Sequence, residues 1–308
     1  MSDAYLRRDH CPICAAPLAA ARPAVRSDPP AESLAFGAQD GFVSGYGSRR
    51  TFFTYYRCGT CGGAYCPTYF TWDQLQRLYG HQRENMGEVP LGAREATQRC
   101  YLDILSSHAV LEGEYLELGP DVGLFAGLCA ERGRLTRFHL FEPNRKVHEA
   151  LAGRLAGRQV HISAEAYRAG SLPGASLSIA VLIHVLDHLI DPTEVLRSLH
   201  QDLAPGGTLL IVTHDEASLP ARALGRRWPP YALQHPQLFA PRPLARLLER
   251  CGFSVVGSQK TVNYFPVTHL VRGVFAVLGL GHLAPRFDHP FTIPVRLGNI
   301  ATVARKPR

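Results

Sequence analysis

Lysine is almost missing from this 308-residue chain, occurring only as Lys146, Lys260 and Lys306 among 33 Lys and Arg residues. The formal charge of +7 is therefore carried by arginine. Those arginines are scattered, with no stripe or block that would mark a nucleic-acid footprint. Long apolar runs are also missing. The opening MSDAYLRRDH has no hydrophobic segment, so no secretory signal is expected. Near the C-terminus, VTHLVRGVFAVLGLGHL is interrupted by His269, Arg272 and His282 and falls short of a bilayer span, which predicts an amphipathic helix packed on a domain. There is no internal repeat and no low-complexity tract. These absences point to a soluble chain in a reducing, cytoplasmic setting, where paired cysteines are metal ligands rather than disulfides.

Eight cysteines are present, and four form two C-x-x-C knuckles: Cys11 and Cys14 in CPIC, Cys58 and Cys61 in CGTC. Thiolates two residues apart in a tight turn can face one Zn²⁺, and two such turns complete a tetrahedron. A redox pair or plain burial is the alternative. The gap between them holds Pro29-Pro30, FGAQDGFVSGYGSRR and the strand-like TFFTYYRC, as in a zinc ribbon whose hairpins are too small to fold without metal. Four thiolates leave no open position, so the expected ion is structural. Cys66, Cys100, Cys129 and Cys251 have no partner at metal spacing.

Three regions follow: a ribbon over residues 1–70, a helix and linker over 71–90, and a larger domain over 91–308. The first helix is TWDQLQRLYG, opened by Thr71 and stopped by Gly80, and HQRENMGEVPLG reads as linker. From Tyr115 onward apolar strands alternate with helices, which implies right-handed βαβ units and a doubly covered parallel sheet. Continuous runs such as IAVLIHVL suit central strands buried on both faces. Two insertions interrupt the alternation: 216–240, long for a βα loop and expected to act as a lid, and 266–290, expected to form the far cleft wall. The last strand is read as TIPVRLGNIATVARK, antiparallel at or near the sheet edge.

In such a sheet ligands bind beyond the carboxyl ends of the strands. YLELGPDVG places Gly119, Pro120, Asp121 and Gly123 in the turn after the first strand, and LFEPN ends the next strand on Glu142. The glycine spacing is not that of a dinucleotide site, but a turn plus a carboxylate able to accept ribose hydroxyls argues for a nucleoside-containing cofactor.

Over about residues 115–253 the sequence resembles the class I S-adenosylmethionine-dependent methyltransferases, particularly the small-molecule branch. Four segments carry the resemblance in family order: ELGPDVG, FEPN, HVLDHLIDPTEVLRSLHQDLAPGGTLLIVT and HPQLFAPRPLARLLERCGF. It implies a Rossmann-like, seven-stranded α/β sheet with an antiparallel last strand, preceded by the small β zinc ribbon. It also implies that Glu117 and Gly119 lie by the methionine portion of the cofactor, with Pro120, Asp121 and Gly123 in the turn. Glu142 and Pro143 would meet the ribose, Ala164 or Glu165 the adenine, and His184 would close the pocket under the sulfonium. Asp121 stands where many relatives carry glycine, and Ser178 where an acid usually opens the fourth strand.

Methyl transfer needs an aligned nucleophile and, for a hydroxyl or acidic carbon, a base to remove its proton. His235 in the lid is the favoured base and His214 at the end of the fifth strand the second. Asp187 and His188 read as structural, with Asp187 bonding backbone N–H groups at a helix start. Arg226, Arg227 and Trp228 could grip an anionic or aromatic acceptor. The expected function is methylation of a sugar, glycan precursor or secondary metabolite, on oxygen by preference. Zinc modules on such domains resemble the deoxysugar C-methyltransferases, whose further C-terminal domain has no counterpart here. The alternatives are an rRNA base methyltransferase, for which RRTFFTYYR offers interleaved aromatics and arginines, and a non-catalytic zinc-ribbon adaptor. Nucleic-acid partners are not expected.

Overall fold

The computed structural model describes residues 4–38, 51–79, 89–172, 174, 176–284 and 291–308. Most of the stretch read as linker, the helix stop at Gly80, residues 39–50 of the ribbon and the end of the second insertion lie outside the described residues.

One seven-stranded sheet organises the chain. Its strands are β1 (Glu112–Leu118), β2 (Arg134–Phe141), β3 (Gln159–Ser163), β4 (Leu177–Ile183), β5 (Leu203–His214), β6 (Ser254–Lys260) and β7 (Asn299–Arg305). Across the sheet the order is β3-β2-β1-β4-β5-β7-β6. β1 to β5 pair in parallel, and β7 runs antiparallel to both β5 and β6. The expected fold class is the one observed. The long final strand of the sequence reading is two strands: Thr292–Val295 pairs with Asn263–Pro266, and β7 begins after Gly298, whose φ of 94° turns the chain.

The strands alternate with a period of two, as a sheet buried on both faces requires. Tyr115, Ile179, Val181, Leu210 and Val212 point to one core with the helices Leu91–Ser106 and Leu124–Arg132. Leu116, Leu118, Ala180, Leu182, Leu209 and Ile211 point to the other, with the helices Pro192–Asp202 and Pro241–Arg250. Cys11, Ile13, Cys58 and Tyr65 of the ribbon join this second core, so the ribbon packs against the larger domain instead of hanging from it.

Thr71 opens the helix Trp72–Tyr79 with a capping box: its N–H donates to Gln74 Oε1 at 2.9 Å and its hydroxyl accepts from Gln74 N–H at 3.3 Å. In the second insertion the helix Val267–Val277 buries only Thr268, leaving Val274, Leu278, Leu283 and Phe291 exposed around it.

The first insertion is anchored. It holds the short helix Leu219–Leu224 and the strand Gln237–Leu238, which pairs antiparallel with Ala64–Tyr65 and so extends the ribbon sheet. Tyr69 Oη donates to Leu233 O at 2.8 Å, Cys66 N–H to Pro236 O at 2.8 Å, and Arg57 forms a bidentate ion pair with Glu216. Trp228, Tyr231, Leu233 and Leu238 pack with Phe52, Phe53, Tyr55 and Phe70. Trp228 is thus a core anchor, while Arg226 and Arg227 are exposed.

Gln237 is fully buried, and its amide donates to Leu186 O at 3.1 Å and Leu189 O at 2.8 Å. Gln237→Ala orphans both carbonyls in a dry site. Denaturant titration should show a loss of about 2–3 kcal/mol; an unchanged midpoint would mean that the joint carries no load.

Candidate active site

The expected cofactor residues gather at one edge of the sheet. Glu117 lies near the end of β1, Gly119 to Gly123 form the following turn, Glu142 and Pro143 follow β2, Ala164 and Glu165 follow β3, and His184 follows β4. Because β1 and β4 are neighbours while the chain runs outward from β1 to β3 first, this is the topological switch point, where a crevice opens.

The turn after β1 is left-handed at three residues, with φ of 65° at Gly119, 51° at Asp121 and 75° at Gly123. At Asp121 the backbone takes a conformation that glycine adopts at no steric cost. A Cβ on Gly119 would meet Val185 Cγ2 at 2.8 Å and one on Gly123 would meet Leu151 Cδ1 at 2.5 Å. Glu142 ties the turn to β2. Its Oε2 accepts from Asp121 N–H at 2.9 Å and its Oε1 from Asn144 N–H at 2.8 Å. Each carboxylate oxygen keeps a lone pair, the acceptor chemistry a ribose diol requires. Burial raises the Glu142 pKa against these two hydrogen bonds. Ser178, the other departure from the pattern, lies at the start of β4 with its Oγ facing Gly113, at the opposite edge from the crevice.

Beside the crevice, the ends of β4 and β5 and the anchored insertion bring together His184, Asp187, His188, His214 and His235. Ring centroids are 4.7 Å apart for His184 and His214, 5.0 Å for His214 and His235, and 4.7 Å for His188 and His235. His184 has φ of 52°, a strained value for a residue with a Cβ that is worth about 1–3 kcal/mol. His214 Nδ1–H donates to Asn299 Oδ1 at 3.0 Å, and its Nε2 is 3.9 Å from Asp187 Oδ2. Asn299 was not among the expected site residues. It opens β7, and because β7 is antiparallel its first residue pairs with His214, the last residue of β5.

Asp187 does not cap a helix, contrary to the sequence reading. Asp191 caps Pro192–Asp202, accepting from Thr193 N–H at 2.9 Å and Glu194 N–H at 3.1 Å. Asp187 is 0% exposed and neither carboxylate oxygen has a hydrogen-bond partner among the described residues. Burial opposes its charge, but the surrounding histidines outweigh that and hold its pKa low. Burial lowers His184 to about 3 and also lowers His188 and His235, so these imidazoles are neutral near pH 7.

The four knuckle cysteines also converge. Cys11 Sγ is 3.8 Å from Cys61 Sγ and Cys14 Sγ is 3.6 Å from Cys58 Sγ, too far for disulfides. An ion with Zn–S bonds of about 2.3 Å has a tetrahedral edge of about 3.8 Å, so the residues fit. Both turns are built alike: Ala15 N–H donates to Cys11 O and Gly62 N–H to Cys58 O, each at 2.9 Å, with φ of 60° at Ala15 and 75° at Gly62.

Comparison with known proteins follows this geometry. The family described as a methyltransferase domain matches residues 73–258, more than half of the chain, and the chain belongs to it. It is an S-adenosylmethionine-dependent methyltransferase of the class I fold. A protein of Bacillus halodurans C-125 assigned as a methyltransferase superposes with a TM-score of 0.50 at 15% identity, over 68% of this chain and 99% of that one. A chain from the complex between the Haloferax volcanii Trm112 methyltransferase activator and a methyltransferase does so with a TM-score of 0.50 at 13% identity, over 70% and 93%. The N-methyltransferase NodS of Bradyrhizobium japonicum WM9, in complex with S-adenosyl-L-homocysteine, aligns with a TM-score of 0.48 at 16% identity, over 76% and 98%. No curated protein matches by sequence.

Glu117 yields a pH prediction. It is buried beside Tyr115 Oη, which donates to it at 2.7 Å, and burial raises its pKa from 4.5 to about 8. The folded protein then holds a proton that the unfolded chain releases above pH 4.5. Stability should fall by about 1.4 kcal/mol per pH unit from there up to the raised pKa. Glu117→Gln removes that slope, so thermal denaturation at pH 5 and pH 8 should separate wild type from variant at the higher pH only.

Proposed function

We propose that the protein methylates a small-molecule acceptor, a sugar, glycan precursor or secondary metabolite, on a hydroxyl oxygen, with His214 as the general base. We further propose that Cys11, Cys14, Cys58 and Cys61 hold a structural Zn²⁺ and that the protein works in a reducing compartment such as the cytoplasm. When bound, S-adenosylmethionine supplies a methyl group on a sulfonium whose departing thioether is neutral. What this chain must do is orient the acceptor and take its proton.

The observation that carries the reading is the fixed tautomer of His214. Asn299 Oδ1 can only accept, so His214 Nδ1–H donates to it and Nε2 is the nitrogen left to take a proton. The Asn299 amide is itself oriented, its Nδ2 donating to Asn263 Oδ1 at 3.4 Å, and Asn263 Nδ2 donating to Tyr101 Oη at 2.8 Å. As the acceptor oxygen forms its bond to the methyl carbon, the hydroxyl proton passes to His214 Nε2. Asp187 Oδ2, 3.9 Å away and desolvated, stabilises the imidazolium that forms.

This geometry favours His214 over His235. His235 Nδ1–H donates to Pro230 O at 2.6 Å and its Nε2 faces His188 Nε2 at 3.1 Å, so both nitrogens are engaged. Most of RRTFFTYYR lends the rRNA reading little: Phe52, Phe53 and Tyr55 are buried in the ribbon core, Arg57 is paired with Glu216, and Tyr56 alone of its aromatics is partly exposed.

Calorimetry with S-adenosylmethionine, followed by mass spectrometry of small-molecule extracts incubated with the labelled cofactor, tests the proposal. Glu142→Ala should weaken cofactor binding. His214→Ala should leave cofactor binding intact and lower turnover of the identified acceptor by about 10²- to 10⁴-fold. Full turnover by His214→Ala removes it as base.

A further inference from the structure

We infer that Asp187, His188 and His235 form a second metal site, distinct from the four cysteines, that takes a divalent transition metal of the zinc type. One ligand atom from each of the three residues lies within 4.8 Å of the others. The two imidazoles aim Nε2 at Nε2 across 3.1 Å. Two nitrogens bonded to one tetrahedral ion at about 2.0–2.1 Å are about 3.3 Å apart, so the pair is spaced as ligands of one ion.

The outer nitrogens complete the pattern. Metal-bound histidines hold the other N–H on a carbonyl or oxygen acceptor, which fixes the ring. His235 Nδ1–H has Pro230 O at 2.6 Å, and His188 Nδ1 has the Tyr79 hydroxyl at 3.2 Å. Without an ion, one imidazole must donate Nε2–H to the other, and that bond does nothing for Asp187. Its carboxylate is wholly buried and neither oxygen has a hydrogen bond among the described residues, His214 Nε2 standing 3.9 Å from Oδ2. Such a group costs several kcal/mol unless it is paired or coordinates a metal. A divalent cation between these three side chains satisfies the carboxylate and both Nε2 atoms together. Two imidazoles and one carboxylate suit zinc and its neighbours rather than Mg²⁺ or Ca²⁺.

Three protein ligands leave a fourth position, as in catalytic sites. His214 borders the cluster, and an acceptor hydroxyl on that position would be acidified beside the base. This role rests on the methyl-transfer reading; metal binding itself does not.

The test uses the full chain loaded with Co²⁺, freed of excess metal and assayed for metal content and visible absorption. Wild type should retain two equivalents per chain. One gives the thiolate charge-transfer bands of the cysteine site, and the other gives d–d absorption without them. Asp187→Asn and His235→Gln should each retain one equivalent, and their unchanged thiolate bands report an intact ribbon. One equivalent in wild type, or two in both variants, overturns the inference. Methyl transfer by a protein holding only the cysteine-bound ion also overturns the catalytic role, whereas two equivalents without methyl transfer upholds the site and sinks the function reading.

Discussion

The pairing of Gln237–Leu238 with Ala64–Tyr65 joins the ribbon to the wall of the catalytic cleft, and the position of His235 depends on it. Two residues of ladder are little by themselves, so the joint is reinforced by further hydrogen bonds. Arg8 donates to Ile190 O at 2.6 Å and also reaches Cys66 O and Pro236 O, linking the ribbon, the insertion and the turn after β4. Tyr55 Oη donates to His235 O. Small ribbons commonly depend on a metal to fold. An ion at the cysteines would act on the cleft through these contacts, with no contact to the reacting atoms.

That arrangement changes what the insertion can do. A long βα loop is ordinarily a cover that opens and closes, and the sequence reading expected one. Here two residues of the segment, Gln237–Leu238, extend the ribbon sheet, Trp228 and Tyr231 pack in the ribbon core, and Glu216 is paired with Arg57. Fixing the wall also fixes its histidine, and a preorganised site of this kind needs no rearrangement when charge develops.

The α/β alternation, the cysteine knuckles and the turn after β1 were legible because each is a local pattern: period, spacing, and glycine with a following acid. Asp121 stood out in the sequence as a departure from the family pattern, and its backbone is left-handed. The histidine cluster was only half legible. His184, His214 and His235 stood at strand ends or in the insertion, where any βα loop reading finds them. Asp187 was misread because an acid near a helix start ordinarily bonds its backbone N–H groups; Asp191 caps the helix, and Asp187 is buried with no hydrogen-bond partner among the described residues. Asn299 was invisible for a topological reason. Nothing local distinguishes an asparagine that opens a strand, and its partnership with His214 exists only because β7 is reversed against β5.

The two halves of the sheet edge divide the chemistry. β1 to β3 present carboxylates and a left-handed turn suited to a nucleoside, whereas β4, β5 and β7 present imidazoles and amides suited to a proton. His184 stands at the boundary, after β4 and next to β1, in a strained conformation, with Nδ1 buried and without a hydrogen-bond partner among the described residues. Burial keeps it neutral. A cationic imidazole at this boundary would repel a sulfonium, and a carboxylate would bind the charged donor tightly but also resist the charge neutralisation that accompanies transfer. A neutral ring would do neither, so a methyl donor held where the resemblance implies would meet no imidazolium at His184 near pH 7.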